Sequence, residues 1–156
     1  MVISLIAVGR KMPEWVNQGY REYARRMPRE CTLALVEIEA AKRGKSGSSQ
    51  RWVAQEGKRM LAAIPRGDRV IALDLSGASW TTEKLSNQLE GWMHSGSGVS
   101  LLVGGPDGLA TECLSRADQR WSLSALTFPH PLVRVILAEQ LYRSWSVMTH
   151  HPYHRA

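Results

Sequence analysis

Four apolar runs of strand length punctuate the chain: VISLIAV at Val2–Val8, TLALVEI at Thr32–Ile38, RVIALDL at Arg69–Leu75 and VSLLV at Val99–Val103. Between them the apolar residues recur at helical spacing. Strands that alternate with helices in this way require an α/β fold, a mostly parallel sheet with helices on both faces. A chain of 156 residues suits one such domain. The opening run lacks a basic leader and reads as a strand rather than a signal peptide. No apolar stretch reaches the roughly 18 residues a membrane helix needs, so a cytoplasmic protein with no membrane partner is expected.

The intervals carry their own punctuation. Pro13 opens a helix expected to run to Met27, with Trp15, Gly19 and Tyr23 on one side and Val16, Tyr20 and Met27 beside them. A second helix is expected over Ser49–Ile64, with Val53, Gly57, Met60, Leu61 and Ile64 inward. Thr81 or Thr82 caps a third, whose Leu85, Leu89, Trp92 and Met93 form an apolar stripe. A short helix starts near Thr111, and Trp121–Leu123 is a candidate fifth strand. The last helix is expected over Pro131–Met148, with Val133, Ile136, Leu137, Leu141, Trp145 and Met148 inward. Cys31 and Cys113 form no CxxC pair and read as buried thiols.

In open parallel sheets, ligands bind where loops leave the carboxyl ends of strands. Two such places are unusual here. LLVGGPDGL, Leu101–Leu109, makes a glycine-rich turn directly after a buried strand. It matches neither the dinucleotide fingerprint nor a phosphate-cradling loop, and it also suits a simple strand exit. WSLSALTFPHPLVR, Trp121–Arg134, is too apolar for an ordinary surface loop. Leu123, Leu126 and Phe128 could wall a small-molecule site, with backbone groups between them. A buried crossover, with His130 capping the next helix, accounts for the same residues.

Twenty Lys and Arg against 14 Asp and Glu give a net charge of +6, which favours anionic partners. The loop KRGKSGSSQ, Lys42–Gln50, is rich in Gly, Ser and cations and reads as mobile. The tail THHPYHR, Thr149–Arg155, places His150 and His154 at ligand-like spacing, but no Cys or acid stands nearby to complete a metal shell. It could fray, or fold over an anionic substrate with Tyr153 stacking and His154 and Arg155 donating. A non-enzymatic ribosome or RNA-binding factor also fits the charge, though it leaves Ser122–Phe128 without a purpose. A nucleotide-dependent enzyme would need a glycine fingerprint after the first strand, and Gly9-Arg10-Lys11-Met12 is not one.

Taken together, the motifs VGRKMPEWV, GGPDGL, WSLSALTFPHPLVRV and HPYHR resemble the RlmH (YbeA-like) family of the SPOUT superfamily, across essentially the whole chain. Asp107 stands where Glu is expected in close relatives, and Lys42–Gln50 is poorly matched. The resemblance implies a parallel α/β sheet with a C-terminal trefoil knot, and a homodimer. It also implies S-adenosylmethionine as methyl donor without a metal, and N3 of a pseudouridine in 23S ribosomal RNA, as free RNA or assembled ribosome, as acceptor. Carried onto this chain, the cofactor site comprises Leu73, Gly104, Leu123, Ser124, Ala125, Leu126, Thr127 and Phe128. Alignment and water exclusion are then the protein's main task. His154 becomes a candidate for proton handling and Arg155 for charge stabilisation, with Tyr153, Arg134 and His130 facing the RNA. A side chain at Gly104 is expected to intrude on the ligand.

Overall fold

The computed structural model describes residues 1–155. The elements follow as β1 (Val2–Val8), α1 (Glu14–Ala24), β2 (Thr32–Ile38), α2 (Ser49–Ala63), β3 (Arg69–Ser79), α3 (Thr82–Ser95), β4 (Val99–Val103), α4 (Thr111–Arg116), β5 (Gln119–Ser122) and α5 (His130–Met148). The strands form one five-stranded sheet in the order β2-β1-β4-β3-β5, parallel at every pairing. Every strand therefore ends on the same edge of the sheet.

The two-residue period of a strand sorts its side chains between two cores. Ile3, Leu5 and Ala7 of β1, with Val99, Leu101 and Val103 of β4, pack beneath residues of α1, α3 and α5. Ile6, Val8 and Leu102 point to the opposite face, against Met60 of α2 and Cys113 of α4. Helices thus cover both faces. Both cysteines are fully buried, and desolvation pushes each thiol up to about 11.

Local chemistry sets the boundaries. The Ser48 side chain accepts from Arg51 N–H (3.2 Å) to start α2, and Thr81 accepts from Lys84 N–H (3.0 Å) to start α3. Pro13 stands just ahead of α1 in an extended conformation, and the helix stops at Ala24, short of the expected Met27. There the bonds tighten: Arg26 N–H reaches Tyr23 O and Met27 N–H reaches Ala24 O, three residues back. α1 buries Val16 and Tyr20, while Trp15 is 58% exposed.

β3 runs four residues beyond the expected Leu75, through a register shift between Leu73 and Ala78 that places both opposite Trp121. Asp74 Oδ2 accepts from Ser76 N–H (3.1 Å) and turns the chain outward. Gly77 brings it back, because a Cβ there would stand 2.5 Å from the backbone of Arg120 and Trp121. Trp80 then stacks on Trp121 at 4.8 Å.

α5 departs most from expectation. Its fully buried residues are Arg134, Leu137, Ala138, Leu141, Tyr142, Ser144 and Ser146, which at 100° per residue cover more than half the circumference. No single apolar stripe describes it. Ser146 Oγ donates to Arg143 O at 2.6 Å and Ser86 of α3 donates to the Ser144 carbonyl at 3.0 Å, whereas the Ser144 hydroxyl itself is buried without a partner. Val133, Trp145 and Met148 pack at the margin of the core, and Ile136 is only partly buried.

Arg134, expected to face RNA, is instead 1% exposed. Its Nη1 donates to Glu37 Oε2 (2.7 Å) and its Nη2 to Gly9 O (2.7 Å) and Val8 O (3.3 Å). Removing it strands a carboxylate and two carbonyls together. Arg134→Ala is accordingly expected to cost about 3–5 kcal/mol, seen as a fall in the urea midpoint at unchanged slope. A loss within the roughly 0.5 kcal/mol typical of surface sites would show that the ion pair contributes nothing.

Candidate active site

The carboxyl ends of β3, β4 and β5 surround a cavity of about 630 Å³, within the range of small-molecule sites. One wall is the turn that follows β4. Gly108 N–H donates to Gly105 O at 3.1 Å, and the two residues form a bridge. This tight return presses Gly104 against the far limb of its own turn. A Cβ on Gly104 would stand 2.5 Å from Gly108 C and 2.9 Å from Leu109 N. Gly104 is therefore required by the turn itself, in addition to lining the cavity.

The opposite wall is the crossover from β5 to α5. Ser122 Oγ donates to Ser124 O (3.1 Å), and Ser124 Oγ accepts from Leu126 N–H (3.0 Å). These short-range bonds satisfy polar groups of an apolar loop and leave Leu126 69% exposed. Leu75, on the β3 excursion, is 64% exposed beside the same cavity. Large apolar side chains held in the open at a concave place mark a binding surface.

The structure brings Leu73, Gly104, Leu123, Ser124, Leu126, Thr127 and Phe128 together around this cavity, with Asp74, Pro106 and Val133. Ala125 lies in the same loop, exposed, and is not part of the lining. His130 also lines the cavity, as the first residue of α5, while Pro129 takes the capping position. Burial, and then the positive charge of Arg134, hold the His130 imidazole below its usual pKa of 6.5. It is consequently neutral near pH 7.

The tail lies elsewhere. Tyr153 donates its hydroxyl to Glu139 Oε1 (3.1 Å), meets the Tyr142 ring edge-on at 4.7 Å and lies under the Arg143 guanidinium at 5.0 Å. Burial and Glu139 push its phenol up to about 12. His154 Nδ1 stands 3.4 Å from Arg143 Nη1, and since arginine only donates, that nitrogen is the acceptor. Glu139 is nine residues along α5 from His130, about 14 Å at helical rise. Tyr153, His154 and Arg155 do not line the cavity of their own chain. Among the described residues no three His, Cys, Asp or Glu side chains are grouped to hold a metal ion, and no helix is long and apolar enough to cross a membrane.

Sequence reasoning passed over Glu56. It is 2% exposed, lies behind the turn, and binds Ala41 N–H (3.0 Å) and Arg43 Nη1 (2.9 Å) through Oε2. The signal was available: an acid on the inward side of α2, between Val53 and Met60. The adjoining loop is also less detached than its composition suggests, for Arg43 is tied to Asp107 as well.

A five-stranded parallel sheet with a glycine turn and an apolar crossover at one edge defines an α/β protein with a ligand site at the strand ends. Known proteins narrow this. The family model described as "Predicted SPOUT methyltransferase" matches residues 1–154. Ribosomal RNA large subunit methyltransferase H of Marinomonas sp. (strain MWYL1) is 57% identical over 155 residues, 99% of this chain and all of that protein. A probable methylase family protein from Haemophilus influenzae Rd KW20 shares the fold at a TM-score of 0.58 and 10% identity, over 99% of this chain and 70% of that one. The SpoU methyltransferase AviRb from Streptomyces viridochromogenes does so at 0.50 and 11%, over 96% and 61%. The chain belongs to the SPOUT methyltransferase family, in the branch of the large subunit methyltransferase H.

Two glycines separate turn geometry from glycine content. Gly104→Ala should destabilise the protein by about 1–3 kcal/mol through overpacking. Gly91→Ala, in α3 with open space around its Cβ, should stabilise it by about 0.4–1 kcal/mol. Thermal unfolding of both variants checks this, and equal shifts would show that the turn has slack.

Proposed function

We propose that this chain, as one domain over residues 1–156, transfers a methyl group from S-adenosylmethionine to N3 of a pseudouridine in 23S ribosomal RNA. It does so as a cytoplasmic homodimer, on RNA presented free or in the assembled ribosome. The observation that carries this reading is the convergence of Gly104–Leu109 with Leu123–Phe128 on one cavity, in a chain of a methyltransferase family. The knot belongs to the same reading. Support for it comes from the path after β5, which leaves the sheet edge and returns beside the turn after β4, with β3 between.

The residues present suit the cofactor. Leu73, Leu123, Leu126 and Phe128 offer apolar walls for adenosine, and the backbone of the two loops offers donors and acceptors for its edges. When bound, S-adenosylmethionine supplies a methyl carbon already activated by positive sulfur. The chain's task is alignment: a base held at the mouth, water excluded, and N3 in line with that carbon. N3 carries a proton that must leave as the N–C bond forms and the S–C bond breaks, the sulfur departing as a neutral thioether. His130, neutral and in the wall, is the second candidate to accept this proton, and the pH profile of the rate separates it from the tail. His154 and Arg155 remain our assignment for proton handling and for stabilising the developing ring anion. Since the tail does not line its own chain's cavity, in the homodimer it serves the cavity of the second subunit.

Two experiments test this. Arg155→Ala should lower methyl transfer by roughly 100-fold or more, in the range of a positioned catalytic group, with S-adenosylmethionine affinity by calorimetry unchanged. Equal losses would reject the role, and absent cofactor binding with RNA binding intact would make the protein a non-enzymatic RNA-binding factor. As a proton acceptor, His130 must be neutral. Because its pKa is lowered, the acid limb of the rate profile should lie below pH 6.5, and His130→Ala should remove that limb. An acid limb left in place in the variant assigns the step to another group.

A further inference from the structure

Arg43 belongs to the loop between β2 and α2, in a segment that composition alone would leave detached. Its guanidinium is nonetheless committed on four sides. Nε and Nη2 donate to Asp107 Oδ2 at 3.2 and 3.0 Å, and Nη1 donates to Glu56 Oε2 at 2.9 Å and to Ala41 O at 3.1 Å. The cation also lies 5.6 Å over the Trp52 ring. The two carboxylates flank the turn that forms one wall of the cavity. Asp107 is part of it, and a Cβ on Gly105 would stand 3.8 Å from Glu56 Oε1. Glu56 in turn ties Ala41 N–H. The segment Gly105–Asp107 is therefore held between a buried acid behind it and an arginine reaching around from another loop.

We propose that Arg43 is a positioning residue for the cofactor turn: it clamps Asp107 against the β2–α2 loop and so sets the shape of the cavity wall at Gly104–Gly108. This rests on the assignment of that cavity to S-adenosylmethionine. A turn made of three glycines, a proline and an aspartate has little side-chain packing of its own to hold it. Its one internal hydrogen bond, Gly108 N–H to Gly105 O, fixes the bend but not its angle to the sheet. Asp107 carries the one charged side chain of the turn, and the guanidinium spreads four bonds over Asp107, Glu56 and Ala41 O from three nitrogens, a geometry that three donors on a single lysine nitrogen do not reproduce. Holding the wall before the ligand arrives removes an ordering cost from binding.

The test compares Arg43→Lys, Asp107→Asn and Asp107→Glu with the wild-type protein. Calorimetry measures S-adenosylmethionine affinity, and hydrogen exchange of the Gly108 amide is followed in the ligand-free protein. Arg43→Lys and Asp107→Asn should each weaken the cofactor about tenfold, raising KM for it with kcat little changed, and should speed Gly108 exchange. The double variant should be no worse than either single one, because both break one contact. Asp107→Glu should retain affinity and slow exchange. Wild-type affinity in the first two variants overturns the clamp, as does weaker binding without faster exchange, or a loss with Asp107→Glu equal to that with Asp107→Asn. Wild-type protein that binds no S-adenosylmethionine sinks the functional reading instead. Exchange then judges the clamp alone, and unchanged rates overturn it.

Discussion

The buried Arg134 guanidinium is the joint on which the site depends. A charge taken out of water at this depth costs several kcal/mol unless it is matched. Here it is matched by Glu37 from β2 and by the carbonyls of Val8 and Gly9, where β1 ends. Those three acceptors come from two different strands, so the two Nη groups tie α5 to both at once, while Nε is left without a partner. So tied, α5 delivers His130, one helical turn earlier, to the cavity wall. It also fixes where the crossover from Ser122 must arrive. An apolar residue at 134 could bury as much surface, but it would not make these directional contacts to β1 and β2. The polar contact supplies register, and the surrounding leucines supply the stability.

The same joint shapes the chemistry. Burial first, and the positive charge of Arg134 second, disfavour a cation at His130 and lower its pKa. The residue that ties down the helix thus also adds to the field at its tip. The tail obeys a different logic. Tyr153 and His154 dock on Glu139 and Arg143, halfway along α5, where Arg143 already pairs with Glu139. The docking orders the tail without bringing it to the cavity of its own chain.

The layers were legible from the sequence because strand and helix differ in period, and VISLIAV and VSLLV allow little else. The two cavity-lining loops stood out for a related reason, since residues such as Leu123, Leu126 and Phe128 have no place in an ordinary loop. What the sequence withheld was contact over long separation. β3 was cut short at Leu75 because its excursion looks like an exit; only the partner strand reveals that Gly77 allows a return. Arg134 reads as a surface cation on an amphipathic helix until Glu37 and two carbonyls are seen around it, almost a hundred residues away in sequence. Arg43 and Asp107 lie 64 positions apart, and composition cannot pair them. Gly104 was legible as a special residue, but the atoms it approaches belong to its own turn.

Charge takes on a different meaning once these pairs are known. Three of the fifteen arginines are structural: Arg43, Arg134 and Arg143 each serve a carboxylate at partly or wholly buried positions. Each of these pairs removes an acid along with its cation, so the net excess of +6 is undiminished for an anionic partner. The parallel sheet then sorts what remains. Loops that leave carboxyl ends of strands carry Arg10 and Lys11 after β1, and Lys42 and Lys45 after β2, all exposed. Loops that enter strands set their cations beside acids, with Arg29 next to Glu30, Arg69 next to Asp68, and Arg116 bridged to Asp118. Glu39, Asp74 and Asp107 also lie on the outgoing side, and cations such as Arg66, Lys84 and Arg120 are exposed elsewhere, so Arg10, Lys11, Lys42 and Lys45 put positive charge on the edge that holds the cavity without confining it there. A polyanion drawn to this edge would meet the cavity mouth first.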